Sequence, residues 1–286
     1  MWLTALLTSA AMAAFAANSL IARGALGAGA IGAADYTILR LVSGAAAMAA
    51  LLALQGSISL RRLPGSWASG LALFGYAVAF SYAYLSLGAA TGALILFAAV
   101  QATMIGGGLL RGDRPTLRQL AGLGIAFAGL VWLLLPGLGT PDLVGTAMMI
   151  ASGIAWGIYS LRGRGARDPL AETSGNFVRS VVFCAPLLLV APGEGVPTAA
   201  GVGLAVLSGA VASGLGYIVW YRALPRLSRV QAAIVQLTVP PIAAFGAVLF
   251  LSEELTSRLV VASVLILAGI LLAVLPGRGV EQRSRR

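Results

Sequence analysis

Apolar runs of 15 to 21 residues recur along the whole chain and are separated by short polar connectors. One such run has about the length that a helix needs to cross a hydrocarbon core of roughly 30 Å. We place ten membrane-spanning helices near residues 3–22, 36–54, 68–87, 90–110, 117–135, 143–161, 177–191, 201–221, 231–251 and 259–275. The pattern therefore predicts an all-α integral membrane protein.

An internal repeat divides these spans into two sets of five. Residues 108–137 align without a gap on residues 248–277 at an offset of 140, and the segment beginning at Phe15 aligns with the one beginning at Trp156 at an offset of 141. The repeat predicts two five-helix units, residues 1–137 and 138–277, followed by a short basic tail at 278–286.

The number of helices in each unit determines the relation between the two. Because five is odd, the second unit must enter the membrane with the opposite orientation, so the units are predicted to be inverted repeats. Inverted repeats in secondary transporters enclose a substrate site near the membrane midplane. A central cavity between the units is therefore expected, and a symmetric scaffold without a passage is the alternative.

All nineteen basic residues are Arg, and they gather on one side of the predicted spans. Sixteen share the side of the N-terminus, whereas Arg23, Arg40 and Arg258 lie on the other. We therefore expect an inner-membrane protein, and the positive-inside rule predicts that both of its termini lie in the cytoplasm. Ala14-Phe15-Ala16 resembles a signal cleavage site, but no basic region precedes it, so the first helix is expected to be retained.

Composition excludes several kinds of chemistry. The chain has no Lys for a nucleotide-binding P-loop, no His, and a single Cys, Cys184. We therefore expect neither a cofactor nor a metal, and a lipid-modifying enzyme, the alternative from another class, lacks a base and a metal cluster. The expected partners are a small-molecule substrate and the lipid bilayer; nucleic acid is not expected, and the chain is predicted to be a monomer or weak homodimer.

Every Asp and Glu lies in a connector or near a helix end. Pumps driven by protons or sodium usually bury an acidic residue at mid-membrane to bind the ion. The sequence therefore favours gradient-driven movement or exchange of the substrate.

Amide and aromatic side chains supply the candidates for recognition. An amide in hydrocarbon costs several kcal/mol without a partner, so it must face another helix or a wet cavity. Trp156 and Tyr159 share one helix face, as do Tyr217 and Trp220. The predicted substrate-binding residues are Asn18, Tyr82, Gln101, Trp156, Tyr159, Tyr217 and Gln236. Trp220 and Tyr221 are instead expected to be interfacial anchors.

Prolines and arginines inside the spans are further candidates for a functional or structural role. Pro240 and Pro241 interrupt the ninth span and are predicted to form a hinge or to present carbonyls to the substrate. Arg40 and Arg179 are equivalent in the two units and are expected to snorkel or to bind backbone carbonyls, with Asp35 a candidate partner of Arg40. No cation is then expected deep in the spans.

These features together resemble a known family. Arg40 and Arg179 at the start of the second helix of each unit, the Tyr-Arg-Ala-Leu run at 221–224, and the Gly-rich helices of 108–137 and 248–277 are similar to the EamA-type branch of the drug/metabolite transporter superfamily. The resemblance covers essentially the whole chain. It implies a ten-helix bacterial carrier that alternates between inward-facing and outward-facing states.

The uncharged, aromatic-rich spans resemble the YddG-type exporters of aromatic amino acids. In that type an aromatic residue of the fourth helix and a Trp of the sixth are associated with the passage; Trp156 fits the second, whereas the first falls near Val100 and Gln101. The resemblance implies export of small neutral or zwitterionic metabolites, above all amino acids with large apolar side chains. Exporters of lipophilic drugs and nucleotide-sugar carriers are the alternatives, and the expected lack of a deep cation disfavours the nucleotide-sugar carrier.

Overall fold

The apolar runs form helices because a chain in lipid satisfies its backbone hydrogen bonds only within each segment. The computed structural model describes residues 2–55, 64–112, 115–134, 142–163, 166–227, 229–252 and 257–274. The helices of the first half are α1 (Trp2–Leu26), α2 (Ala33–Leu54), α3 (Trp67–Ser86), α4 (Ala89–Leu109) and α5 (Leu117–Leu134).

The second half contains shorter and more broken helices. They are α6 (Leu143–Gly163), α7 (Pro169–Val182), α8 (Leu187–Val190), α9 (Ala199–Leu207), α10 (Gly216–Ala223), α11 (Arg229–Val235), α12 (Val239–Leu251) and α13 (Ser257–Val274). A π-helical segment, Ser208–Leu215, joins α9 to α10, and a 3-10 turn, Gln236–Thr238, joins α11 to α12.

Six helical runs of the described chain are long and apolar enough to cross a membrane: α1, α2, α3, α4, α6 and the continuous run Ala199–Arg226. The pair α7 and α8, bent by 47°, makes a seventh if it counts as one span. The protein is therefore a multi-pass membrane protein. The count of ten spans stays a prediction, and the predicted unit boundary at 137/138 and the tail at 278–286 lie outside the described residues.

The seventh predicted span, 177–191, begins too late. Helix α7 begins at Pro169, after Asp168, whose side chain accepts a hydrogen bond from the amide of Ala171 at 3.1 Å. The first two turns are rich in polar residues, Glu172 and Asn176 among them. Hydropathy therefore missed them, although an N-cap Asp followed by Pro is a regular helix start.

The ninth predicted span is broken just before its two prolines. Pro240 and Pro241 occupy the first turn of α12, directly after the 3-10 turn. At that position their missing N–H groups leave no hydrogen bond unmade. The chain thus restarts a helix at the prolines rather than kinking one.

Helices α5 and α13 pack through small residues. A Cβ at Gly122 would collide with the carbonyl oxygen of Gly269, and a Cβ at Gly269 would collide with that of Gly122. A Cβ at Gly129 would likewise lie 3.1 Å from the carbonyl oxygen of Ala262. The repeat offset of 140 relates Gly122 to Ala262 and Gly129 to Gly269, so the two close approaches are equivalent contacts.

Two connectors lie against each other at one end of the bundle. The backbone amide and the hydroxyl of Thr198 each donate to the carbonyl oxygen of Ala30, both at 2.9 Å. The α1–α2 connector and the segment between α8 and α9 therefore lie at the same end of the bundle, as the alternation of the predicted spans requires.

Candidate functional site

A small cavity lies where α1, α3 and α4 of the first half meet α6 and α10 of the second. Its lining consists of Phe15, Asn18, Ser19, Tyr76, Phe80, Leu96, Phe97, Trp156 and Tyr217. Six of these nine side chains are aromatic and none is charged. The free volume, about 10 Å³ for the centre of a water-sized sphere, has room for roughly one water molecule. A larger ligand can enter only if the helices move apart.

The indole of Trp156 lies at the centre of the aromatic lining. Its ring centroid lies 4.6 Å from that of Tyr217, 5.1 Å from that of Tyr76 and 5.2 Å from that of Phe15. Each aromatic pair stabilises the folded protein by about 0.5–1.5 kcal/mol beyond the area that it buries. The cavity wall is thus a preformed cluster that holds one face of Trp156 in place.

Gln236, which lies outside the cavity lining, holds the indole of Trp156 in place through a hydrogen bond. The Trp156 Nε1–H donates to Gln236 Oε1 at 2.9 Å, and Gln236 Nε2 donates to the Ala232 carbonyl and to Met104 Sδ, both at 3.1 Å. Gln236 is fully buried and is not part of the cavity lining. It therefore positions Trp156 rather than facing the cavity.

Asn18 is the amide on the cavity wall. Its Oδ1 accepts from the hydroxyl of Ser208 at 2.6 Å, and its Nδ2 donates to the Tyr76 hydroxyl at 3.4 Å. Ser208 begins the π-helical segment, a type of distortion that is frequent at functional sites. Asn18 thereby connects α1 to α3 and to the second half.

Arg40 lies directly behind this wall. Its Nε donates to the Ser213 hydroxyl at 3.0 Å, and its Nη2 donates to the hydroxyls of Tyr76 at 3.0 Å and Tyr217 at 3.1 Å. The guanidinium carbon also lies 4.9 Å from the ring centroids of both Tyr76 and Phe80. One cation from the first half thus binds polar groups from both halves.

The prediction that Arg40 snorkels or binds backbone carbonyls is wrong. Helix α2 begins at Ala33 rather than at 36, so Arg40 lies seven residues, about 10 Å, inside the helix and is 1% exposed. Its partners are hydroxyl groups, and Asp35 is not among them. The expectation that no cation lies deep in the spans is therefore wrong as well.

Arg179, the equivalent residue of the second unit, behaves as predicted. Its Nη1 donates to the carbonyl oxygens of Gly175 at 2.8 Å and Pro64 at 3.2 Å. The two equivalent arginines therefore differ in role, because only Arg40 reaches the aromatic cluster.

The structure brings three of the predicted substrate-binding residues, Asn18, Trp156 and Tyr217, together on the cavity wall. Tyr159 is fully buried next to them, 5.6 Å from Trp156 between ring centroids, and Gln101 is buried on α4; neither is part of the lining. The sequence alone did not single out Phe15 or Phe80. Both lack a polar group, and selection by hydrogen-bonding capacity passes over them.

Tyr82 lies in a different place, at the end of the bundle where the two connectors meet. Its hydroxyl donates to Glu194 Oε1 at 2.7 Å, and Glu194 Oε2 accepts from the backbone amide of Ala34 at 2.8 Å. Glu194 thus links the connector after α8 to the start of α2 and to α3. We name these three residues, Tyr82, Ala34 and Glu194, the Glu194 latch.

The prediction that Trp220 and Tyr221 anchor the chain at the interface is wrong. Both side chains are fully buried. Trp220 packs against Phe15 with ring centroids 5.9 Å apart, and the Tyr221 hydroxyl donates to the Tyr159 carbonyl at 3.1 Å. The helix face that carries them is turned toward the core, which composition near a helix end does not reveal.

Ionisable side chains outside this cluster do not form a metal site in the part of the chain that the structure describes. No group of three or more Cys, Asp or Glu side chains there is arranged to hold a metal ion. The chemistry that the site offers is therefore aromatic faces, hydroxyls, one amide, and a cation behind them.

Comparison with known proteins gives a consistent result. Residues 143–275 match the EamA-like transporter family. The chain is 51% identical to an uncharacterised protein of Pseudomonas aeruginosa, over 98% of each chain. It is also 27% identical to an uncharacterised transporter of Archaeoglobus fulgidus, over 79% of this chain and 83% of that protein. A crystal structure with 21% identity superposes with a TM-score of 0.80 and covers 97% of this chain and 99% of the other, which shows a shared fold.

Proposed function

We propose that this chain, whose residues 143–275 match the EamA-like transporter family, is a transporter that exports small neutral or zwitterionic metabolites across a membrane. Amino acids with large apolar or aromatic side chains are the proposed substrates, and the bacterial inner membrane, with both termini in the cytoplasm, is the proposed location. The chain is proposed to act as a monomer or weak homodimer.

The observation that carries the proposal is the aromatic lining of the cavity. Six aromatic rings surround it, and Asn18 and Ser19 supply the polar groups among its lining. An apolar side chain would gain favourable burial in such a site, and ring faces attract an ammonium group. Lipophilic drugs, the alternative substrates, would use the same rings without the polar groups.

We also propose the ten-helix architecture of two inverted repeats. Two features support it: the equivalent close approaches of Gly122 to Gly269 and of Gly129 to Ala262, and the contact between the equivalent rings of Phe15 and Trp156. Both are expected if a two-fold axis in the membrane plane relates the halves.

Transport then requires alternating access, because the cavity is too small for an amino acid. The helix breaks offer places to bend, with the 3-10 turn before Pro240 and Pro241 in the second half as the proposed hinge. No carboxylate lines the cavity, which favours substrate movement along its own gradient or by exchange.

Counterflow of labelled phenylalanine into liposomes that contain the purified protein tests the proposal. Trp156→Ala should lower the rate at least about tenfold, since it removes the central ring of the site. The matched control is Trp132→Ala, which removes a Trp of α5 that is 46% exposed and is not part of the lining. Absence of phenylalanine counterflow with the unaltered protein, or equal rates for both variants, would contradict the proposal; counterflow of a lipophilic dye alone would favour the alternative.

A further inference from the structure

A layer of phenol rings separates the guanidinium of Arg40 from the cavity. Its Nη2 donates to the hydroxyls of Tyr76 and Tyr217, and both tyrosines belong to the cavity lining. The guanidinium also lies over the ring of Phe80, a third lining residue, at 4.9 Å. One layer of side chains therefore separates the cation from the cavity, and these side chains line the cavity themselves.

The positive charge of Arg40 is only partly compensated. A guanidinium offers five N–H donors, and Nη1 of Arg40 has no hydrogen-bond partner among the described residues. Its bound partners are neutral hydroxyls. Removing a charge from water is costly unless an opposite charge compensates it, and an ionisable residue inside a membrane usually serves function. A buried guanidinium with neutral partners and an unused N–H donor group is suited to binding an anion.

The hydroxyls of Tyr76 and Tyr217 connect Arg40 to the cavity through hydrogen bonds. Each hydroxyl oxygen accepts a hydrogen bond from Arg40, which leaves its own O–H to act as a donor. The lining contains no carboxylate that could accept from it. A carboxylate in the cavity would therefore meet two hydroxyl donors with a guanidinium behind them, and a small shift of either ring would allow direct contact with Arg40.

We propose that Arg40, Tyr76 and Tyr217 form the carboxylate-binding end of the substrate site, so that transported molecules carry a carboxylate beside an apolar or aromatic part. The inference rests on the proposed function, and it assigns the carboxylate to Arg40 and the two phenols rather than to the amides of Asn18 and Gln101. The aromatic part of the substrate lies against Phe15 and Trp156. The lining offers the ammonium group of an amino acid only neutral partners, namely ring faces and the polar groups of Asn18 and Ser19, so this group is dispensable for binding.

Three phenyl compounds test the inference on the unaltered protein. They are phenylalanine, which carries both charges, 3-phenylpropionate, which carries only the carboxylate, and 2-phenylethylamine, which carries only the ammonium. In competition against labelled phenylalanine, 3-phenylpropionate should inhibit within a few-fold of phenylalanine, and 2-phenylethylamine should be at least about tenfold weaker, the loss of one charge-assisted hydrogen bond.

The outcomes separate the two proposals. If the amine competes as well as the acid, the carboxylate site is overturned while amino-acid export stands. If phenylalanine itself is not transported, the proposed function fails, and the carboxylate site is then judged by the melting temperature of the purified protein with the same three compounds. A rise with the two carboxylates and not with the amine supports the site; any other pattern overturns it.

Substitution of the cation gives a second test with a matched control. Arg40→Gln should bring the preference for acid over amine from at least about tenfold to near one, and Arg40→Lys should retain part of it. Arg179→Gln removes the equivalent arginine, which binds backbone carbonyls, and should leave the preference unchanged. A folded Arg40→Gln protein that still prefers the acid contradicts the inference.

Loss of Arg40 can also impair folding, so a variant that retains the cation is needed. Tyr76→Phe with Tyr217→Phe removes only the two hydroxyls. It should weaken binding of 3-phenylpropionate several-fold and leave 2-phenylethylamine unchanged, because only the acid uses the hydroxyl donors. Equal effects on both compounds would overturn the proposed role of the phenols.

Discussion

Phe15 and Trp156 occupy equivalent positions in the two halves of the chain, and their rings meet edge to face with centroids 5.2 Å apart and planes at 85°. Equivalent residues that contact each other lie next to any two-fold axis that relates the halves. Both rings also line the cavity. The cavity that we propose as the substrate site therefore lies where the two halves of the chain meet.

This contact predicts that substitutions of Phe15 and Trp156 are not additive. Phe15→Leu and Trp156→Leu should each weaken phenylalanine binding, and the double variant should lose less than the product of the two effects. The expected coupling is about 0.5–1.5 kcal/mol, the magnitude of an aromatic pair. Half-saturating concentrations in counterflow measure it, and additive losses would show that the two rings act separately on the substrate.

The helices could be predicted from sequence because lipid requires long apolar segments with internal hydrogen bonds. The burial of Arg40 deep inside the helix bundle could not be predicted from sequence. It depends on the helix start at Ala33 and on which face of α2 meets Ser213 and Tyr217, residues more than 170 positions away in the chain. The burial of Trp156 was easier to predict, because it lies farther from its helix end than the position at which a Trp usually anchors a helix at the interface.

Gln236 is predicted to act through Trp156. Gln236→Leu should leave the indole N–H buried without an acceptor, which costs about 1–3 kcal/mol and lowers both the melting temperature and the transport rate. Trp156→Phe removes that N–H, so the combination of the two substitutions should be more stable than Gln236→Leu alone.

Thermal unfolding of the four proteins in detergent checks this rescue. If Gln236→Leu destabilises the Trp156→Phe protein as much as it destabilises the unaltered one, Gln236 stabilises the fold through Met104 and Ala232 rather than through the indole.

The Glu194 latch is predicted to hold the cavity closed at the end of the bundle opposite the start of α1, which the proposed orientation places outside the cell. Glu194→Gln replaces two charge-assisted hydrogen bonds with weaker neutral ones, so the open state on that side should become more populated by about five- to tenfold. A cysteine at the lining position Leu96, in a protein with Cys184→Ala, reports the opening through its reaction with a membrane-impermeant thiol reagent added outside.

Faster labelling in Glu194→Gln is the expected result, with a smaller increase for Tyr82→Phe because one of the two bonds remains. Glu172→Gln, which changes a carboxylate in the first turn of α7, should leave the labelling rate unchanged. Equal rates in all variants would show that the latch does not control access to the cavity.

Pro240 and Pro241 are predicted to keep the break between α11 and α12 open to bending. Replacing both with Ala creates no clash, but it adds two backbone N–H groups that have no intrahelical acceptor in the first turn of α12. They gain acceptors if the 3-10 turn Gln236–Thr238 joins the two helices into one continuous helix, which the substitution therefore favours. The transport rate should then fall several-fold, while the melting temperature is unchanged or higher and phenylalanine binding is retained.

Pro192→Ala, in the exposed turn after α8, is the matched control and should transport normally. A double variant that transports at the normal rate would show that the bending needed for alternating access occurs elsewhere, with the 47° bend between α7 and α8 as the next candidate.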